Sequence, residues 1–279
     1  MLGNDPIAVA GTVGFHALAW YFGLLALLLA CERFAWSVLG RQPGTGEVIK
    51  GRHRGSAPPV LGVGLVIVAA AGFGSIAYVT RHGAFALADQ VFLDAVQTSV
   101  PAHVIKEFKW ITWFGDARTL ALLCVGTAAA LLARGDNALA LGMVAAAGGN
   151  GLLNTALKRM FDRSCPRLGV DPLLGHGLCF PSGHTSGAVV TYGMLAYALM
   201  RVLPRRWHLP VLMSATALIF TVGCSRVFVQ AHFPSDVLAG FASGSAWLAL
   251  VVVLTESWLR GWRPGAWHHE PAGQAAPER

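Results

Sequence analysis

A chain of 279 residues in which 54% are hydrophobic and only 13% are charged, with a mean hydropathy of +0.55, is too apolar for an ordinary soluble domain and reads as an integral membrane protein. Its formal charge of +7 would suit a nucleic-acid binder only if the basic residues clustered on one face or in a recognisable module. They are scattered through short loops, so nucleic acid is set aside as a partner and the lipid bilayer takes its place.

In chain order, apolar runs lie at Ile7–Cys31, Pro59–Val79, Ala117–Leu132, Leu139–Leu157, His184–Leu203, Leu209–Cys224 and Val237–Leu254. Extended by a few mixed residues at their ends, these approach the roughly 20 residues a spanning helix needs, which predicts seven helices. The opening "MLGNDP" has no basic region ahead of the first run and no small-residue cleavage site follows it, so that run is expected to stay as a helix rather than leave as a secretory signal. Residues 1–58 then hold one helix and a basic loop, 59–258 a helical core, and 259–279 a tail rich in Pro, Ala, Gly and Glu that reads as disordered. Between the second and third runs, "ALADQVFLDAVQTSVPAHVIKEFKWITWFG" reads as an amphipathic stretch at the membrane surface, flanking lateral access for a lipid. Trp110, Trp113, Trp207, Trp258 and Trp262 fall near helix ends as an aromatic belt would.

Lys and Arg of short loops are retained on the cytoplasmic side. Arg33, Arg41, Lys50, Arg52, Arg54, Arg134, Arg201, Arg205, Arg206, Arg260 and Arg263 all fall on one side of a seven-helix arrangement. The N-terminus and the loops holding Lys158, Arg163, Arg167 and Arg226 fall on the other, where basic residues need a function to explain them.

Three stretches on that outer side supply one: "KRMFDRSCPR" at 158–167, "PSGH" at 181–184 and "SRVFVQAHFPSD" at 225–236. Each marks a helix end, so they can converge at one membrane face. Lys158, Arg163, Arg167 and Arg226 offer charge and forked donors to phosphate oxygens. Ser182 and the backbone N–H groups from Gly183 onward add neutral donors at a helix start, with glycine allowing close approach. An imidazole can attack phosphorus while a second protonates the leaving oxygen and then activates water. His232 is assigned as the nucleophile and His184 as the acid and base. Asp236 follows His232 at i+4 and can hold the ring's other N–H. Pro234 suits the first turn of the helix that follows.

Lysine, six residues and Arg-Pro, then Pro-Ser-Gly-His, then Ser-Arg, five residues, His, three residues and Asp is the pattern of the type 2 phosphatidic acid phosphatases, which this sequence resembles from about Pro59 to Leu254. Pro181, Ser182, Gly183 and His184 match the second motif, and Ser225, Arg226, His232 and Asp236 the third. The resemblance implies a metal-independent enzyme with no cofactor, built as an all-α polytopic bundle with a six-helix core plus one extra N-terminal transmembrane helix. The first motif departs from the pattern: Lys158 and Pro166 are present, but Cys165 stands where the family has arginine, as it does in a subgroup of bacterial membrane phosphatases.

Cys165 and Cys179 share the outer loop, where an oxidising compartment would permit a disulfide tying the first motif to "FPSGH". Two free thiols, or pairing with Cys224, are the alternatives; Cys31 and Cys124 read as small core hydrophobes. Zinc is set aside because His176 and His184 lack ligand spacing. The expected function is hydrolysis of a lipid phosphate or diphosphate at the periplasmic face of a bacterial inner membrane, with undecaprenyl diphosphate, phosphatidylglycerol phosphate, phosphatidic acid and a lipid A phosphate as candidate substrates. A phosphotransferase, or a binding or carrier protein that lost turnover with the arginine, are the rival readings.

Overall fold

The structure is a computed structural model that describes residue 12 and residues 16–39, 59–166 and 178–261. A chain this apolar can satisfy its backbone polar groups in lipid only within helices or a closed barrel, and the described residues are helical: α1 Ala17–Leu39, α2 Pro59–Arg81, α3 Ala86–Ser99, α4 Ala102–Ile111, α5 Ala117–Ala133, α6 Asn137–Phe161, α7 Gly183–Val202, α8 His208–Phe228 and α9 Pro234–Gly261. Short 3-10 turns at Thr112–Gly115 and Arg205–Trp207 precede α5 and α8. The described residues contain no strand, only an isolated antiparallel bridge between Ser164 and Leu178.

Six of the seven expected runs lie inside long helices to within one residue, and the first is helical from Ala17 and runs on to Leu39, its expected start at Ile7 lying outside the described residues. By length and composition four helices could cross a membrane, within Ala17–Trp36, Gly62–Arg81, Arg205–Phe228 and Pro234–Leu259, and a fifth if Ala102–Gly115 and Ala117–Ala133, bent by 42°, count as one span. The helices α6 and α7 fall short of that apolarity for a physical reason. Asn150, Asn154 and Lys158 line α6, while α7 opens "GHTSG" and is buried along most of its length. A helix face turned to other helices meets protein rather than lipid, so small polar residues are tolerated on most of α7 and on the buried side of α6.

Around α7 pack α9, α8, α6 and α5. Its Ala188, Val190 and Met194 have no exposed surface. The crossing with α9 depends on glycine: a Cβ on Gly240 would stand 2.8 Å from the Ser182 carbonyl oxygen, and one on Gly244 would stand 3.0 Å from the Ser186 Cα. The first turns of the two helices are thereby brought together.

The stretch between α2 and α5 folds as α3, α4 and the 3-10 turn. It docks through Val96, Val100 and Phe108 onto Tyr21 of α1 and Phe228 of α8, with the Phe108 and Phe228 rings stacked at 4.3 Å. Trp110 and Trp113 remain 64% exposed, as interfacial anchors would. Of the unpaired cysteines, Cys124 is buried, Cys224 is partly buried and Cys31 is exposed on α1, contrary to its expected core position. Cys31 falls within Ala17–Trp36, a stretch apolar enough to cross a membrane, where a small thiol suits an outward face.

Candidate active site

The second and third motifs meet where α7 and α9 begin. Ser182 is the N-cap of α7, its side chain accepting from the Thr185 N–H as N-cap hydroxyls do. Its own N–H donates to the Asp236 carbonyl oxygen at 3.0 Å, which fixes "PSGH" to the first turn of α9. Gly183 admits α6 closely, since a Cβ there would lie 2.9 Å from Asn154 Nδ2.

His232 lies in the short link between α8 and α9 and is 5% exposed. Its Nδ1 stands 3.6 Å from Asp236 Oδ2, just beyond hydrogen-bond distance, and has no other partner. Oδ2 itself accepts from the Phe233 N–H at 3.0 Å. With Nδ1 turned to the carboxylate, Nε2 is the nitrogen available for chemistry. Burial pushes the imidazole below the ordinary histidine range; Asp236 opposes this, while Arg226 and Lys158 add to it. His184 is the second residue of α7, just after the Ser182 whose N–H is tied to Asp236, and its charge interacts with that of His232.

Arg226 closes α8 with its Nη1 donating to Thr112 Oγ1 at 2.6 Å, while its buried Nε has no partner. Lys158, in the last turn of α6, donates to the Leu178 carbonyl oxygen. Buried polar atoms without partners are rare outside functional sites, and Arg226 Nε, His232 Nδ1 and Asn154 Oδ1 are three of the five among the described residues.

Arg163, expected among the phosphate donors, is engaged elsewhere. Its Nη1 donates to Asp236 Oδ1 and Ser235 Oγ, both at 2.7 Å, its Nη2 donates to Asp89 Oδ2 at 2.8 Å, and its guanidinium lies 4.6 Å from the Phe233 ring centre. Both terminal nitrogens are thus taken by carboxylates, leaving Lys158 and Arg226 as the cations facing His232 among the described residues. Arg167, like His176, lies outside the described residues.

Asp89 was not singled out from the sequence. It is 4% exposed on α3 and also takes hydrogen bonds from the Ser235 N–H and hydroxyl. A signal for it existed: Asp89, Leu93 and Val96 are buried together at i, i+4 and i+7, the spacing of a single helix face.

Cys165 and Cys179 are joined by a disulfide with a Cα–Cα distance of 5.1 Å. Beside it, the Cys179 N–H donates to the Arg163 carbonyl oxygen at 2.8 Å, and Ser164 bridges to Leu178. These ties hold the backbone of Arg163 and the carbonyl that receives Lys158. Cys179, His232 and Asp236 bring potential ligand atoms within 4.8 Å of one another, but the Cys179 sulfur is committed to the disulfide, so this cluster does not offer a metal a thiolate. Closing a ring of about 15 residues is worth roughly 3 kcal/mol in the chain-entropy model. Reduction and alkylation of the pair is therefore expected to lower both thermal stability and the activity of the site in detergent. Unchanged activity with both thiols alkylated would show that the ring does not organise the site.

Comparison with known proteins finds a family likeness. The family model of the PAP2 superfamily matches residues 138–260. Phosphatidylglycerophosphatase B of Bacillus subtilis (strain 168) is 38% identical over 96 residues, which cover 33% of this chain and 46% of that protein. A lipid A 1-phosphatase of Rhizobium johnstonii is 34% identical over 114 residues, 38% of this chain and 43% of that protein. The matched stretches thus span less than half the length of these curated relatives. The crystal structure of a transmembrane PAP2 type phosphatidylglycerolphosphate phosphatase from Bacillus subtilis superposes with a TM-score of 0.62 at 29% identity, covering 70% of this chain and 96% of that one.

Proposed function

From the match of residues 138–260 to the PAP2 superfamily model and the likeness in fold, we propose that this chain is a membrane phosphatase of that family that hydrolyses a lipid phosphate or diphosphate through a phosphohistidine on His232. The observation that carries this reading is the meeting of His232, His184, Arg226 and Lys158 where α7 and α9 begin. Lys158, Arg226 and the first N–H groups of α7 would receive the phosphate oxygens, helped by the positive end of the helix dipole.

In the first step His232 Nε2 forms a bond to phosphorus, the bond from phosphorus to the lipid oxygen breaks, and His184 gives that oxygen its proton. In the second, His184 takes a proton from water, the water oxygen attacks phosphorus, and the N–P bond breaks to release inorganic phosphate and neutral His232. Asp236 compensates the positive charge that His232 gains while phosphorylated. Two displacements at moderate barriers thereby replace one that is difficult.

The relatives act on phosphatidylglycerol phosphate or lipid A, as their names state. Those lipids, phosphatidic acid and undecaprenyl diphosphate form the substrate panel for this chain. Transfer to a lipid acceptor instead of water is the second reading, and phosphate release without added acceptor separates the two. The Lys and Arg asymmetry of the loops supports an active site facing the periplasm of a bacterial inner membrane. Protein in detergent is expected to release phosphate from at least one of the panel lipids and to do so equally in EDTA. Intact spheroplasts are expected to turn over a membrane-impermeant short-chain analogue. Release that needs a divalent cation, or appears only after lysis, would overturn the mechanism or the orientation respectively.

A further inference from the structure

The catalytic pair is held from an unexpected direction. Asp236 presents Oδ2 toward His232 and Oδ1 to Arg163, and Arg163 is shared with Asp89, which reaches in from α3. Asp89 lies outside all three motif stretches, and Arg163, within the first of them, was expected to bind phosphate rather than a carboxylate. The contacts at Asp89 form a small closed network: one carboxylate oxygen receives the Ser235 N–H at 3.2 Å, the other receives the Ser235 hydroxyl and Arg163 Nη2. Ser235 and Asp236 are adjacent in the first turn of α9, so Asp89 holds both the backbone and the counter-ion of the residue that faces His232.

We propose that Asp89 is a positioning residue for phosphoryl transfer: from α3 it divides the charge of Arg163 between two carboxylates and so sets both the aim and the net charge of Asp236 against His232. This rests on the reading of His232 as the nucleophile. If Asp89 carried no charge, Arg163 would lie undivided on Asp236 and neutralise the carboxylate that supports His232 when it becomes positive. Arg226 and Lys158 already disfavour positive charge on that imidazole, and Asp236 is the group that opposes them. His184 on α7 interacts electrostatically with His232; among the described residues, Asp116 acts on His184 and Arg226, and Asp89 and Arg163 are the further charged groups at this turn.

Asp89→Asn tests this. The substitution is isosteric, keeps an acceptor for the Ser235 N–H, and leaves Arg163 paired with Asp236, so no buried charge is stranded. Two effects are expected in the variant: kcat falls roughly tenfold to a hundredfold, in line with displacement of a functional group by a fraction of an ångström up to about 1 Å, while KM changes by less than about twofold. The acid limb of kcat/KM moves to lower pH, because a less compensated His232 gives up its proton more readily. Loss of folded protein would scale the profile without moving it. Asp89→Glu keeps the charge and is expected to leave the limb in place with reduced kcat; a moved limb in that variant overturns the charge-sharing argument even if Asp89→Asn fails to fold. An unmoved limb in folded Asp89→Asn overturns it directly. His232→Ala run alongside keeps the two readings apart. Phosphate release by that variant would sink the nucleophile assignment itself, whereas an inactive His232→Ala beside an unmoved Asp89→Asn profile sinks only the role of Asp89.

Discussion

His232→Ala is expected to stay folded and lose phosphate release by roughly a thousandfold or more, as removal of an attacking nucleophile does elsewhere. The fold should survive because His232 sits in the short link between α8 and α9 and its Nδ1 has no hydrogen bond closer than the 3.6 Å approach to Asp236. No core cluster includes it, so the truncation opens no void among packed apolar side chains. A single monodisperse peak in detergent with turnover at background is the expected outcome. Wild-type release from His232→Ala would end the phosphohistidine mechanism. The wild-type pH profile adds a second check. Because burial and two neighbouring cations depress the His232 pKa, its neutral form persists as pH falls past the ordinary histidine range, and it is the neutral ring that attacks. The acid limb of kcat/KM is therefore expected below that range rather than within it.

Much of this architecture could be read without coordinates, because two kinds of signal are local. Apolar runs report helices wherever the surrounding solvent is lipid, and the spacing from Ser225 to Asp236 carries its chemistry within a single helix end and link. What could not be read depends on contacts distant in sequence. Arg163 was assigned by charge type alone, and a guanidinium suits a phosphate and a carboxylate equally well. Only the fold, which carries α3 over the start of α9, decides between them, and Asp89 and Arg163 are 74 residues apart. The two least apolar long helices show the converse effect. The α6 and α7 runs were expected to resemble the other spans, yet α6 carries Asn150 hydrogen-bonded to Ser186 of α7 at 3.3 Å, a pairing that suits protein-facing surfaces and not lipid-facing ones. Polarity inside a membrane bundle reports which helix faces meet protein, and here they are most of α7, which bears His184, and the side of α6 that carries Asn150.

Arg163→Ala is expected to have the largest effect on stability, and its kinetic signature distinguishes a clamp from a phosphate donor. The guanidinium side chain is 18% exposed and bridges Asp89, at 5%, and Asp236, fully buried. Removing it strands two carboxylates in a region that water reaches poorly, and loss of one partner from a buried ion pair typically costs about 3–5 kcal/mol. That cost exceeds anything a surface-exposed phosphate ligand would show on deletion from substrate-free protein, since such a ligand contributes little until substrate arrives. A donor to phosphate would raise KM and leave the melting temperature of the free protein almost unchanged. A clamp would lower the melting temperature and kcat while affecting KM less, because Asp236 and the first turn of α9 lose the tie to α3. Arg163→Lys keeps the charge but not the fork that reaches two carboxylates from separate nitrogens, and it is expected to fall between wild type and alanine. A normal melting temperature in Arg163→Ala together with a raised KM would return Arg163 to the phosphate site and leave Asp89 and Asp236 without their proposed link.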